Sequence, residues 1–366
     1  MRPLPGIGFL TTTVLCAAAC GGGGSPTGPT EEPLYTVVAH VFYDENGNGL
    51  KDPSETAVVP NAEVEVAGLT GISDSGTGRV AIEGVPGGTM AISIRRLPPF
   101  YAAGSATMVT VPQPDAEHLF LPATLPIDGN IPSSYMAYGD SITDGCGSTD
   151  MTGYRTTLEN DLRSHFNRAT IVNRSFPGTR SMFGANQIGA SLGAVRPSYA
   201  LILYGTNDWN DHDCRSNFPC YTIDSLRTMV HYTEAAHSLP FLATIIPANT
   251  GFDQRAPPER NVWVAQMNDL IRPMAAQEGA VLVDLYAAFM AQPNFKLLMS
   301  DHVHPNDMGY AIMASEWFKA ITQSSDMTQP MSLDLGLIPR VDPVHPPAAA
   351  PPHHTPPRSL GPYRRT

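Results

Sequence analysis

The sequence predicts two folded units: a three-layer α/β/α fold built on a parallel sheet, preceded by a small all-β sandwich. Three observations carry this reading. From Ser134 onward, apolar runs of strand length alternate with amphipathic stretches of helical length. Before residue 126 the apolar runs are short and are interrupted by Gly, Pro, Asn and Asp. The chain of 366 residues is also too long for one average domain.

Composition narrows the function classes. Hydrophobic content of 42% can furnish real cores. A net charge of −12 argues against nucleic acid as a partner and against a polybasic membrane patch. No internal apolar run approaches the roughly 18–20 residues of a spanning helix.

Residues 1–20 read as a targeting segment: Arg2, an apolar stretch from Ile7 to Ala19, then Ala17-Ala18-Ala19-Cys20. A Gly/Ser/Pro tether follows over 21–33. The small residues before Cys20 and the tether after it resemble the lipobox of bacterial lipoproteins. That resemblance implies lipidation of Cys20 and membrane attachment through an N-terminal lipid anchor; simple secretion with cleavage beside Cys20 is the alternative. Either way the protein is expected in the cell envelope or outside the cell, where disulfides are permitted. Cys214 and Cys220 flank a short loop that a disulfide could close, leaving Cys146 odd unless it pairs with one of them.

Residues 34–126 form the expected β-sandwich. Runs such as Thr36–Phe42 and Glu63–Val66 supply its strands. The stretches Ser73–Val80 and Gly84–Met90 resemble the prealbumin-like repeats of bacterial surface proteins, the Cna-B and SD-repeat B-type domains. Within this unit Asp44–Glu55 fits a calcium loop position by position. Asp44, Asn46 and Asn48 offer side-chain oxygens, Gly49 allows the turn, Leu50 offers its carbonyl, and Asp52 and Glu55 complete the set. A structural calcium ion is expected there, stabilising the module. An Asx-rich hairpin holding no ion is the bland reading.

Residues 130–324 hold the α/β unit. Strands are expected at Tyr135–Tyr138, Thr170–Asn173, Tyr199–Tyr204, Phe241–Ile246 and Val281–Leu285. Helices are expected at Tyr154–Phe166, Ile223–His237 and Arg260–Gln277, with a last one after Asn306. In such a parallel sheet ligands bind beyond the carboxyl ends of the strands. Ser141, Gly178 and Asn207 all follow expected strands, so they should converge.

A serine needs a base to take its proton, and the base needs an orienting partner. Gly139-Asp140-Ser141 and Asp301-His302-Val303-His304-Pro305 offer all three groups. Pro177-Gly178 and Gly205-Thr206-Asn207-Asp208 lie between them in order. These four blocks resemble the SGNH, or GDSL, hydrolase family over about Ser134–Thr322, which implies the three-layer flavodoxin-like fold and a serine esterase. Carried over, Ser141 is the nucleophile, His304 the base and Asp301 its acid. The backbone N–H groups of Ser141 and Gly178, with the Asn207 amide, form the oxyanion hole; catalysis needs no cofactor. Glycine at 178 lets backbone approach a substrate without a Cβ.

Several residues admit other readings. His302 and His304 could form a metal pair if they lay on one strand face. Gly189-Ala190-Ser191-Leu192-Gly193 matches a nucleophile elbow, but falls in a helical stretch with no strand running into it and is a decoy. Asp211-His212-Asp213 reads as a solvated loop, and Asp208 and Trp209 as pocket-lining or packing residues. Residues 325–366 read as a Pro-rich disordered tail. The expected substrate is a carboxylic ester, on an acetylated glycan or alternatively a lipid. A surface protein that only binds glycans is the rival of another class.

Overall fold

A computed structural model of the chain describes residues 32–115 and 118–323. The targeting segment with Cys20, the tether up to residue 31 and the tail at 325–366 lie outside the described residues. Two compact units emerge, one running to Leu97 and resuming over Ala102–Thr124, the other comprising Pro98–Tyr101 and the chain from Leu125.

The first unit contains β1 (Leu34–Tyr43), β2 (Glu63–Val66), β3 (Leu69–Ile72), β4 (Arg79–Pro86), β5 (Gly88–Arg96), β6 (Ala102–Ala103), β7 (Thr107–Val111) and β8 (Phe120–Thr124). They form two four-stranded sheets, ordered β4-β1-β8-β6 and β3-β2-β5-β7. Alternation decides which side is buried: Val80 and Ile82 of β4 point inward while Arg79, Ala81 and Glu83 face water. All eight strands join through antiparallel pairings, but β1 also lies parallel to β8, with His40 opposite Phe120.

The Asp44–Glu55 loop follows β1 and closes on itself. Asp44 accepts from the backbone of Gly47 and Gly49, both at 2.8 Å. Glu55 accepts from Glu45 N–H at 2.8 Å and Asp52 N–H at 3.0 Å. The Asn46 and Asn48 amides both donate to Asp52. Gly47 and Gly49 sit at φ 70° and 77°, the left-handed region where glycine has no Cβ penalty.

The second unit carries a five-stranded sheet of β9 (Ile131–Gly139), β10 (Thr170–Ser175), β11 (Pro197–Leu203), β12 (Leu239–Ala243) and β13 (Val281–Val283). The order is β10-β9-β11-β12-β13 and every pairing is parallel. Its helices are α1 (Ser141–Asp144), α2 (Arg155–Phe166), α3 (Ser181–Val195), α4 (His212–Ser216), α5 (Thr222–Ala235), α6 (Pro258–Gln277), α7 (Leu285–Met290) and α8 (Asp307–Thr322). On one face Met136, Tyr138, Ala200 and Ile202 pack against Ile188 of α3, Met229 of α5 and Met267 of α6. On the other, α2, α7 and α8 form the second layer, with Tyr154 stacked on Trp317. All of β11 and β12 is buried, as the middle of a sheet covered on both faces requires.

Two strands are shorter than the apolar runs suggest. The run ending at Ile246 leaves the sheet after Ala243, although residues through Ala248 stay buried. Asp284 ends β13 because its carboxylate caps α7, accepting from Ala287 N–H at 3.0 Å. The segment from His212 is the helix α4 rather than a loop, capped by Asp211. Among the described residues no helix is long and apolar enough to cross a membrane.

Candidate active site

The site forms where β9, β10 and β11 end. At Gly139 the chain leaves β9, and a Cβ there would run into Thr143 Oγ1 and the Leu203 carbonyl. Asp140 then caps the short α1 by accepting from Ile142 N–H at 2.9 Å, which places Ser141 at the first helical position.

Ser141 Oγ lies 2.8 Å from His304 Nε2, and His304 Nδ1 lies 2.8 Å from Asp301 Oδ2. Asp301 Oδ1 accepts from the backbone of Val303 and His304, both at 2.8 Å. Burial alone would raise the Asp301 carboxyl. The His304 ring and the two N–H groups outweigh it and pull the carboxyl down to about 2. The loop carrying them is pinned at both ends: Ser300 N–H donates to the His304 carbonyl, and Asn306 N–H to the Leu298 carbonyl, each at 2.8 Å. Asn306 in turn caps α8.

A metal pair at His302 and His304 does not fit this geometry. Both ring nitrogens of His304 are engaged, and the two residues lie in a tight loop, not on a strand. His302 is a half-buried neighbour of His304, its Nδ1 3.8 Å from Asp253 and 3.7 Å from Asp301; partial burial lowers its pKa.

Gly178 adopts φ 75°, with open space where a Cβ would stand. Among the described residues no acceptor occupies its N–H or that of Ser141. Asn207 ties three blocks together, its Nδ2 donating to Asp140 Oδ2 at 3.2 Å and to the Thr179 carbonyl at 3.0 Å. Both hydrogens of this amide already have acceptors in the resting site.

Three residues whose parts the sequence did not signal hold this region. Asp208 is fully buried and accepts from Ser181 N–H at 2.8 Å, Ser181 Oγ at 2.5 Å and Thr222 Oγ1 at 2.7 Å. It therefore braces the Asn207 turn against α3 and α5. Arg260, buried on α6, donates to the Thr206 carbonyl at 2.9 Å; burial lowers its pKa to about 10. Asp140 is 1% exposed, and burial pushes its carboxyl up to about 7. Asp140 and Asp208 stand inside the motifs, so their positions were visible while their partners were not.

The remaining sequence features sort themselves by contact. Ser191 is buried in α3, with Arg174 at 3.5 Å and neither histidine nor carboxylate on its hydroxyl. Cys214 and Cys220 are bonded, and Cys146 is a free thiol. Asp211 accepts from Arg180 at 2.7 Å and Tyr221 at 3.1 Å. Trp209 packs edge-on against Trp263 with Arg215 over its ring. Among the described residues no three His, Cys, Asp or Glu side chains gather as a metal cluster.

Residues 137–312 match the model of the GDSL-like Lipase/Acylhydrolase family. This segment is similar to GDSL-type lipase/acylhydrolase domains, and the match spans all four blocks from Gly139 to Pro305. Among solved structures, an acetylxylan esterase from Geobacillus stearothermophilus is 21% identical, covering 53% of this chain and 96% of its own, with a TM-score of 0.45. A lipase/acylhydrolase from Enterococcus faecalis is 20% identical over 52% of this chain and 95% of its own, TM-score 0.44. A putative acylhydrolase from Bacteroides fragilis is 23% identical over 52% and 86%, TM-score 0.41. No curated protein matches the chain.

Proposed function

We propose that the protein is an exported serine esterase acting through an acyl-enzyme. The observation that carries this is the unbroken relay Ser141 Oγ, His304, Asp301, with both steps at 2.8 Å. His304 Nε2 takes the hydroxyl proton as Ser141 Oγ bonds to the ester carbonyl carbon. Asp301 keeps the proton on Nδ1 and stabilises the imidazolium. The oxyanion accepts from Ser141 N–H, Gly178 N–H and Asn207 Nδ2. As the tetrahedral intermediate collapses, the C–O bond breaks and His304 returns the proton to the leaving alcohol. Water, deprotonated by His304, then adds to the acyl carbon; the acid leaves as Ser141 recovers its proton.

The substrate class is an O-acetylated polysaccharide. The Asp301 and His304 side chains keep 32% and 20% exposure, so the centre opens to the surface and can take a bulky alcohol. Ser141→Ala should abolish turnover of an aryl acetate while the circular dichroism spectrum is kept; undiminished turnover would remove the mechanism. Profiling acetyl to palmitoyl esters, then acetate release from acetylated xylan, tests the substrate class. A preference for long chains would favour a lipid esterase instead.

Export rests on residues 1–20, with Cys20 as the proposed lipid attachment point. Radiolabelled palmitate on the wild type, absent from Cys20→Ala, is the expected result. The Asp44–Glu55 loop is proposed to hold calcium. Asp44 and Glu55 are 3% and 2% exposed, with backbone amides as partners and no ion pair among the described residues. Two buried carboxylates lacking a counter-ion, among Asn46, Asn48, Leu50 and Asp52 oxygens, suit a hard divalent cation. Calorimetry should give a higher melting temperature with calcium than with chelator; equal values would remove the ion.

A further inference from the structure

Gly178 and Asn207 offer their oxyanion donors from two separate loops, so the gap between the loops must be held. Gly178 lies at a Pro-Gly corner, which Thr179 closes by donating its N–H at 3.2 Å and its hydroxyl at 2.7 Å to the Phe176 carbonyl. Asn207 opens the turn of Asp208–Asn210 after β11. The three residues that follow Gly178 are each gripped from that turn. The Thr179 carbonyl accepts from Asn207 Nδ2 at 3.0 Å, Arg180 Nη1 donates to Asp211 Oδ2 at 2.7 Å, and Ser181 donates to Asp208. Both hydrogens of the Asn207 amide have acceptors in the resting site, Asp140 and Thr179. An oxyanion must draw on one of them, and the loops then depend on the grips that remain.

The Asp211 end of the ion pair is itself anchored. Its Oδ1 accepts from Asp213 N–H at 3.1 Å and caps α4, and its Oδ2 also accepts from the Tyr221 hydroxyl at 3.1 Å. Its backbone N–H donates to the Asp208 carbonyl at 2.9 Å. Behind it the segment is closed by the Cys214–Cys220 disulfide and tied to α6 by Trp263 Nε1, which donates to the Cys214 carbonyl at 3.0 Å. At the other end the Arg180 backbone starts α3, its carbonyl accepting from Phe183 and Gly184, while its side chain reaches across to Asp211. A charge-assisted bond between two fixed backbones sets their spacing. We propose that Arg180, held by Asp211, is a positioning residue: it keeps the Gly178 N–H and the Asn207 amide at oxyanion-binding distance while Asn207 exchanges a resting bond for the oxyanion.

The inference rests on the esterase reading. The test measures kcat, KM for an aryl acetate and melting temperature in wild type, Arg180→Ala, Arg180→Lys, Asp211→Asn and the Arg180→Ala/Asp211→Asn double variant. Asparagine at 211 keeps an oxygen for the Asp213 N–H and removes the charge that Arg180 meets. Arg180→Ala and Asp211→Asn should each lower kcat about tenfold with KM unchanged, less than the loss of a whole oxyanion donor. The double variant should be no slower than the slower single, as two halves of one contact require. Arg180→Lys, which keeps the cation, should stay within about threefold of wild type. Melting temperatures should move by no more than about 3 °C, because a partly exposed ion pair contributes little to stability. A rise in KM in Arg180→Ala without one in Asp211→Asn would make Arg180 a substrate contact and overturn the proposal. Effects that multiply in the double variant, a lysine variant as slow as the alanine one, or unchanged kcat in both singles would overturn it too. Turnover in Ser141→Ala would instead remove the esterase reading, so the two failures are distinct.

Discussion

Two carboxylates flank Ser141, and their surroundings push them in opposite directions. Asp301 keeps 32% exposure, takes two backbone N–H bonds and contacts the His304 ring, and its carboxyl falls to about 2. Asp140 is 1% exposed, takes one backbone N–H and one amide N–H, and rises to about 7. The residue type is the same; donors and water make the difference. In the proposed mechanism one side of the serine holds a fixed charge that steadies an imidazolium, while the other holds a buried carboxyl that orients the Asn207 amide.

Removing charge from each side should therefore have unlike effects. Asp301→Asn should cut kcat by roughly 10⁴-fold with little change in KM, since the wrong histidine tautomer results; a loss under about tenfold would break the comparison. Asn207→Ala should cost about 100–1,000-fold in kcat, and a change confined to KM would contradict its place among the oxyanion donors. Stability should diverge with pH as well. Because the folded Asp301 carboxyl is depressed, its stabilising contribution is present above the unfolded value near 3.9 and is lost as pH falls through about 2. Asp140 is raised, so its charge costs stability increasingly as pH climbs from the unfolded value near 3.9 to about 7. Melting curves of Asp140→Asn should thus show a gain over wild type at pH 8 that vanishes at pH 3. Asp301→Asn should show a loss at pH 7 that shrinks towards pH 2. The same sign for both variants at neutral pH would collapse the distinction.

The Asp301 side of the site was the more legible in sequence. Its donors come from Val303 and His304, two and three residues away, so the motif spacing contains the contact. The Asp140 side is assembled from distant chain segments. Asp140 meets Asn207 across 67 positions, and Asp208 meets Ser181 across 27. Local pattern carries no trace of such pairings, and nothing in a Gly-Asp-Ser tripeptide tells how deeply its aspartate is buried. The fold divides in the same way. The strand–helix alternation from Ser134 shows the parallel sheet, whereas the parallel pairing of β1 with β8 joins strands far apart in the chain. The end of β12 at Ala243 was hidden because the next residues are equally apolar and equally buried.

Ser141, activated through His304, is the proposed nucleophile. Incubation of the folded protein with a fluorophosphonate probe, followed by peptide mass spectrometry, tests that assignment. The expected result is one adduct per chain, on Ser141, formed far more slowly in His304→Ala and leaving Ser191 unmodified. No adduct on folded protein, or an adduct at another serine, would contradict it.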